Sequence, residues 1–460
     1  MIPLPLREAA LVTGGQLTGT DDPNPLITGP LVFDSREVTP GSLFCCLQGR
    51  STDGHDFAAR AVAAGAVAVL ASQPVDAPAL VVPDVLDSMG RIAARVASEF
   101  TGTVIGLTGS AGKTSTKDLL KSILDLDGPT VATPRSFNNE IGFPVTVSRV
   151  ETGSRYLLLE MGARGLGHIA SLCDIARPRI ATVLGVGSAH IGEFGSRGTI
   201  ARAKAEIVHA LPVHGTAVLN GDDPLVAAMA GDTDATVVTF GLGKDCDVRA
   251  EEVVIQHDGR PHFVLAHGSA RRHIELRVHG RHNVLNALAA AATAIAAGVP
   301  TDRIAQGLRE AEIYSGGRME VTTRADGVTV INDAFNASPE SVLAALTALS
   351  DIAGPTRRKI AVLGEMAELG NEAGTWHDQV AEQVVRLGPA EVIGIGSGHM
   401  DRMLTTITAA GLTAAMASEG VPLIEEITRV LRPGDVVLVK GANALGLEAV
   451  ARELAGMPTP

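Results

Sequence analysis

Nine consecutive residues, Leu107-Thr108-Gly109-Ser110-Ala111-Gly112-Lys113-Thr114-Ser115, constrain this chain more than any other stretch. The run Val104-Ile105-Gly106-Leu107-Thr108 reads as a buried strand, and Lys113 to about Leu126 reads as a helix. A strand, a glycine turn and a helix opening on Lys-Thr form the phosphate-binding loop of an α/β sheet. Gly109 and Gly112 let the backbone curl so that several N–H groups face one anion. Lys113 supplies a point charge for terminal phosphates, and the Thr114 hydroxyl can ligate Mg²⁺. The usual pattern has glycine where Leu107 stands, so the match fails at one position. A glycine turn before any dinucleotide-fold helix would look similar. Composition favours the phosphate reading: only seven of the 38 Lys and Arg residues are lysines, and one sits where the chemistry needs it.

A length of 460 residues predicts about three domains. We expect an α/β protein of three domains. Residues 1–98 form a small mixed α/β domain, with short apolar runs at Leu31–Phe33, Leu43–Leu47, Ala66–Leu70 and Leu80–Val82 and a helical stretch at His55–Ala64. Residues 99–313 form a central, doubly wound phosphate-loop domain, with Tyr156–Leu159 and Ile180–Leu184 as buried strands and Val253–Val278 as an antiparallel appendage. Residues 314–460 form a dinucleotide-fold-like domain, with strands at Thr329–Asn332, Lys359–Leu363, Glu391–Ile395 and Asp435–Lys440. Its helices are expected at Ser338–Leu349, Thr375–Leu387 and Leu423–Leu431.

A net charge of −13 and 3% aromatic residues argue against nucleic acid as a partner. Four cysteines without a CxxC pair fit a reducing compartment. No basic-then-apolar leader opens the chain, and the Ala-rich run Ala287–Ala297 is too short to cross a bilayer. A cytoplasmic protein with no membrane insertion is the expectation.

Three further residues stand near the expected ligand crevice. Glu160 ends a buried strand, where a carboxylate lies close to a ligand or serves as an ordinary strand-end acid. His190 follows Gly185-Val186-Gly187-Ser188-Ala189; a lone histidine there is a ligand or a structural group. Lys204 lies on a helix, as a reactive amine or as a salt-bridged one. Lys440, at a strand end before Gly441, is open between a substrate contact and a strand-end cation.

The segments TGSAGKTS (108–115), EMGARGLGHI (160–169), GSAHIGEFGS (187–196), AKAEI (203–207), GRHNVLNALAA (280–290), GGRME (316–320), NDAFNASPES (332–341) and VLVKGANAL (437–445) carry a resemblance to the Mur ligases. These are ATP-dependent amide-forming enzymes of peptidoglycan synthesis. RSFNNEIGFP (135–144), NDAFNASPES and LGEMAELG (363–370) resemble the branch that joins D-alanyl-D-alanine to a UDP-N-acetylmuramoyl-tripeptide. The DNPR-type signature of the diamino-acid-adding branch is missing.

The resemblance implies a role for each matching residue. ATP would sit on Gly109, Ser110, Ala111, Gly112, Lys113, Thr114 and Ser115. Thr114 and Glu160 would hold one Mg²⁺. His190 would help hold a second, served by a carbamate formed on Lys204 from CO₂. Chemistry supports that last choice, because a neutral amine adds CO₂ and a guanidinium with a pKa above about 12 does not. Asn283 and Asn286 would lie near adenine. Arg318, Asp333 and Asn336 would close over ribose and phosphates. Ser35, Arg36 and Asp53 would contact the uridine nucleotide or support its pocket, and Asn138 and Asn139 would meet the muramoyl-peptide. Read alone, Asn283 is a helix cap and the others are loop or turn residues. Units 1–98, 99–313 and 314–460 would bind the UDP-sugar, bind ATP and complete the ligase. A hinge near 312–318 and a monomeric state are expected.

Three rivals remain: a sister ligase adding a diamino acid or glutamate, a nucleotide-binding regulatory module without turnover, and a nucleic-acid motor. The last lacks a basic surface and helicase motifs.

Overall fold

A computed structural model describes residues 1–20, 24–49 and 52–457. The last three residues of the expected third unit lie outside these. The architecture is α/β, with separate sheets in the N-terminal, central and C-terminal parts of the chain.

The N-terminal sheet has five strands in the order Gln16–Thr18, Ala79–Val81, Ala68–Ala71, Leu43–Cys45, Leu31–Val32. All pairs are parallel except the first. The short pair Leu4–Pro5 and Leu26–Ile27 lies apart from it. The expected helix at His55–Ala64 splits into a 3₁₀ turn, Gly54–Phe57, and a short α-helix, Ala58–Ala63. The split has a local cause: Asp53 Oδ1 accepts from the His55 N–H and lies 2.6 Å from the His55 ring, which tightens the first turn.

The central sheet has nine strands, ordered Ala270–Glu275, Pro261–His267, Val248–Ile255, Thr236–Gly241, Thr216–Asn220, Ile180–Val183, Thr103–Thr108, Tyr156–Glu160, Thr130–Ala132. Thr103–Thr108 pairs with Tyr156–Glu160 on one side and Ile180–Val183 on the other, both parallel. The three segments that follow these strands therefore leave the sheet side by side at its C-terminal edge, where ligands gather in such folds. The antiparallel region is a continuation of this sheet, not an appendage to it. Val248–Ile255 joins Thr236–Gly241 in parallel and then turns back through two antiparallel pairs. A bulge between Glu251 and Val254, with Glu252 at φ 54°, obscures its alternation in the sequence. The Ala-rich run lies in a helix, His282–Ala296, whose residues Ala287–Ala292 are wholly buried. Its alanines let it pack closely on the phosphate-loop helix Lys113–Asp125.

The C-terminal sheet has six strands, ordered Glu320–Thr323, Thr329–Asn332, Val436–Lys440, Lys359–Gly364, Glu391–Ile395, Ala414–Met416. Only the first pair is antiparallel. The two outer strands, and the helices Gly398–Ala409 and Leu447–Leu454, were not expected from the sequence. Among the described residues no helix is long and apolar enough to cross a membrane.

Candidate active site

The turn after Thr103–Thr108 has the geometry its glycines require. Gly112 sits at φ 81°, and a methyl group there would lie 2.4 Å from Asn286 Oδ1. The backbone is thus left-handed and crowded at once, so glycine is required on both counts. Lys113 opens the helix and its Nζ donates to the Gly109 carbonyl at 2.7 Å, folding back over the turn. Burial lowers its pKa, Glu160 opposes that shift and Arg318 adds to it. The Ser110 hydroxyl is buried without a partner, a polar atom aimed at nothing this chain supplies. The Ser110 N–H is engaged by the Gly185 carbonyl at 3.0 Å, so not every N–H of the turn faces outward.

Glu160 organises the next layer. Its Oε2 accepts from the buried Thr114 hydroxyl at 2.9 Å, and its Oε1 accepts from the Asn138 amide at 2.7 Å. A hydroxyl and a carboxylate side by side are hard oxygen donors of the kind Mg²⁺ takes. Among the described residues no cluster of three or more His, Cys, Asp or Glu side chains is set to hold a metal. The oxygen pair Thr114–Glu160 is therefore the part of the site that fits the ion best.

Lys204, on the helix Arg197–His209, is 5% exposed and has no hydrogen bond or ion pair among the described residues. Burial, then the charge of Lys113, drives its pKa well below the ordinary lysine value. A lowered pKa favours the neutral amine, the form that carbamate formation needs. His190, at φ 62°, places Nδ1 2.5 Å from Glu368 Oε2. Burial lowers its pKa, Glu368 raises it and Lys113 lowers it. Both His190 and Lys204 thus feel the charge of Lys113.

Several expected residues are engaged elsewhere. Asn138 is held by Glu160, and Asn139 Oδ1 accepts from the Gly142 N–H; neither lines the large cavity described below. Asn283 is an interior residue of its helix, not its cap: its Nδ2 donates to the His279 carbonyl, and its Oδ1 accepts from Asn286. The Asp333 carboxylate takes Lys440 Nζ at 2.6 Å and the Met319 N–H at 3.1 Å. Asn336 is exposed and offers its carbonyl to Lys440 at 2.9 Å. Lys440 is accordingly a strand-end cation paired within its own unit. Asp53 is tied to His55, and Ser35 does not line the cavity.

A cavity of about 1290 Å³ opens beside this cluster and is lined from all three parts of the chain, including Arg36, Arg135, Arg277, Arg318 and Arg452. Asp34 forks onto Arg36, and this holds its carboxyl down at about 2. Lys113, Glu160, His190 and Lys204 do not line the cavity. The link is Ser136, whose hydroxyl lies 3.2 Å from Thr114 Oγ1 and accepts from Arg318 at 2.9 Å. Arg318 also stacks on Phe335 at 4.2 Å.

Some participants left no local mark in the sequence. Lys117 and Asp118, both almost wholly buried, pair at 2.8 Å. Asp118 Oδ2 takes the Ser315 N–H and Lys117 donates to the Thr133 carbonyl, so the phosphate-loop helix grips the chain just before Gly316-Gly317. Glu340, from the first turn of the helix Pro339–Ala353, accepts from both the N–H and the hydroxyl of Ser188.

Three family models match in order: "Mur ligase family, catalytic domain" over residues 31–96, "Mur ligase middle domain" over 107–294 and "Mur ligase, glutamate ligase domain" over 317–443. A relative from Mycobacterium tuberculosis is 44% identical, covering 99% of this chain and 98% of its own. The chain belongs to the Mur ligase family. That relative, and one from Escherichia coli at 33% identity over 99% of both chains, are named UDP-N-acetylmuramoyl-tripeptide–D-alanyl-D-alanine ligase. Among solved Mur ligases, a MurF from Acinetobacter baumannii superposes with a TM-score of 0.86 at 29% identity, covering 99% of both chains. MurF from Thermotoga maritima in complex with ADP gives 0.79 at 28% identity, covering 94% of this chain and 98% of that one.

Proposed function

We infer that this chain is an ATP-dependent ligase that joins D-alanyl-D-alanine to a UDP-N-acetylmuramoyl-tripeptide in the cytoplasm, by way of an acyl phosphate. The observation that carries the reading is the run Thr114–Ser136–Arg318, which sets a phosphate-binding turn against an arginine-lined cavity reached from three sides. The full-length relatives select the incoming dipeptide.

In this reading the glycine turn, the unpartnered Ser110 hydroxyl and Lys113 bind the ATP phosphates, with Ala111, Gly112 and Ser115 completing the cradle. Thr114 and Glu160 would hold Mg²⁺, with His190 and a carbamate on Lys204 serving a second ion. Bound there, the metal supplies charge neutralisation for the approach of two anions, the tripeptide carboxylate and the γ-phosphate. Lys113 stabilises charge that builds on the transferred phosphoryl group. The substrate carboxylate attacks phosphorus and ADP leaves; the dipeptide amine then attacks the activated carbonyl, and phosphate departs. Arg318, stacked on Phe335 and already within reach of Ser136, steadies the nucleotide from the third unit. Asp333 acts through Lys440 and Met319, shaping the loop that carries Arg318. Asn283 and Asn286 brace the turn, and Arg36 and Arg135 offer cations to the diphosphate of the nucleotide-sugar. Units 1–98, 99–313 and 314–460 divide these tasks, and closure of the third excludes water from the acyl phosphate.

Release of ADP from the full chain with UDP-muramoyl-tripeptide and a panel of amines tests the reading. Turnover with D-alanyl-D-alanine is expected. No response to that dipeptide, or equal response to a free diamino acid or glutamate, would sink it.

A further inference from the structure

The turn that carries His190 is held in two different ways along its length. Its root is fixed by the central unit. The Leu184 carbonyl accepts from Asn220 Nδ2 at 2.7 Å, the Val186 N–H donates to Asp223 Oδ2 at 2.7 Å, and Arg197 reaches the Val186 carbonyl at 2.6 Å. Its tip is fixed by the third unit. Glu340 Oε1 accepts from the Ser188 N–H at 2.7 Å and from its hydroxyl at 2.9 Å. The Gly192 N–H donates to the Glu368 carbonyl at 3.0 Å, and Glu368 Oε2 meets His190 Nδ1.

Two spaces without side chains admit this grip. A methyl on Gly187 would stand 2.7 Å from Glu340 Oε1, and one on Gly192 would stand 2.6 Å from the Gly370 nitrogen. His190 and Glu368, at φ 62° and 63°, both hold the left-handed backbone that residues other than glycine rarely adopt. Strain of this kind persists where surroundings over-determine it, and here the surroundings are each other.

We propose that Glu340 and Glu368 are positioning residues for His190, presenting its imidazole to the phosphate site only while the third unit is docked. The proposal rests on the role given to His190 above. His190 Nδ1 lies 2.5 Å from Glu368 Oε2, a close contact whose angle is not that of a hydrogen bond, and Nε2 is the ring nitrogen that Glu368 leaves unoccupied. A carboxylate beside the far nitrogen restrains the orientation of the ring, as second partners of metal-binding histidines do. Glu340 acts one step further back, by fixing the backbone two residues before the ring.

The single tryptophan of the chain provides a reporter. Trp376 lies six residues beyond Gly370 and is partly buried, with its indole N–H on Glu372 at 3.2 Å. Two measurements on the full chain test the proposal: the Mg²⁺ concentration giving half-maximal ADP release, and acrylamide quenching of Trp376 with neither nucleotide nor metal present. Glu368→Ala is expected to raise the Mg²⁺ requirement about tenfold, with a much smaller change in KM for ATP, and to increase quenching. Glu368→Gln keeps an acceptor oxygen and should restore most of the Mg²⁺ response. Glu340→Ala should move both readouts in the same direction as Glu368→Ala; because it strands the buried Ser188 N–H and can impair folding, the Glu368 variants decide the outcome. An unchanged Mg²⁺ requirement in Glu368→Ala overturns the proposal whatever the fluorescence does, as does an equal loss in Glu368→Gln. His190→Ala separates the two levels. If it raises the requirement while Glu368→Ala does not, this proposal alone fails; if it too changes nothing, the role of His190 fails with it.

Discussion

Two lysines stand at matching places in the two large sheets. Lys113 follows the central strand Thr103–Thr108, and Lys440 ends the strand Val436–Lys440 in the C-terminal sheet. Both lie at the C-terminal edge of a parallel sheet, where ligands gather. Their surroundings differ. Lys440 is 2% exposed and surrounded by its own acceptors, Asp333 Oδ2 and the carbonyls of Asp333 and Asn336. Lys113 has a single hydrogen-bonded carbonyl and feels Glu160 and Arg318, which pull its pKa in opposite directions. One amine is satisfied by the chain. The other keeps donor capacity that the chain does not fill. Position in a fold marks where chemistry can happen; unfilled donor capacity narrows the choice.

That contrast can be broken by experiment. The largest effect should come from Lys440→Ala. It leaves Asp333 without its counter-ion, and breaking a buried pair costs about 3–5 kcal/mol, read as a drop in unfolding free energy in denaturant. Lys113→Ala should do the reverse: kcat falls by about 10²–10³-fold, as for loss of one charge-stabilising donor, while stability holds or rises. If Lys113→Ala destabilises the chain as much as Lys440→Ala, the two lysines are alike and the contrast is wrong. Lys204→Arg should lose activity comparably, since an arginine cannot carry the carbamate, whereas Lys204→Ala should regain part of it when a short-chain carboxylic acid is added. Full activity in Lys204→Arg would remove the carbamate from the scheme.

A smaller effect concerns pH. The pKa of Lys204 is depressed in the folded chain, so the folded state binds fewer protons than the unfolded one between that depressed value and about 10.4. Stability therefore rises with pH across that window and levels off below the folded pKa, where both states carry the proton. Measured in bicarbonate-free buffer, Lys204→Met should flatten this slope, and its advantage over the parent chain should shrink as pH approaches 10. Parallel stability curves for the two proteins would show that the buried amine is not strained.

Much of this was legible in the sequence because it is local. The phosphate loop, the strand ending in Glu160 and the Ala-rich helix each fit within about 20 residues and carry their own periodicity. The outer strands Glu320–Thr323 and Ala414–Met416 escaped because they are short, with no buried residue to set a pattern. The partners of the site escaped for another reason. Glu340 meets Ser188 across 152 positions, and Ser315 meets Asp118 across 197. Nothing near either residue announces the other. Within 312–318, where a hinge is expected, Asp118 and Lys117 pin Ser315, while Gly317 at φ 68° and, one residue beyond the segment, Met319 at φ 50° hold left-handed backbone.

The facing glycines, Gly192 and Gly370, have a consequence of their own. Where two units touch through bare backbone, one methyl group acts as a doorstop. Gly192→Ala should prop the third unit ajar without disturbing any charged side chain, giving a chain that still takes nucleotide yet scatters X-rays as the wider shape whether or not substrates are added. Such a form would separate inhibitors that need the shut door from those that slip in while it stands open.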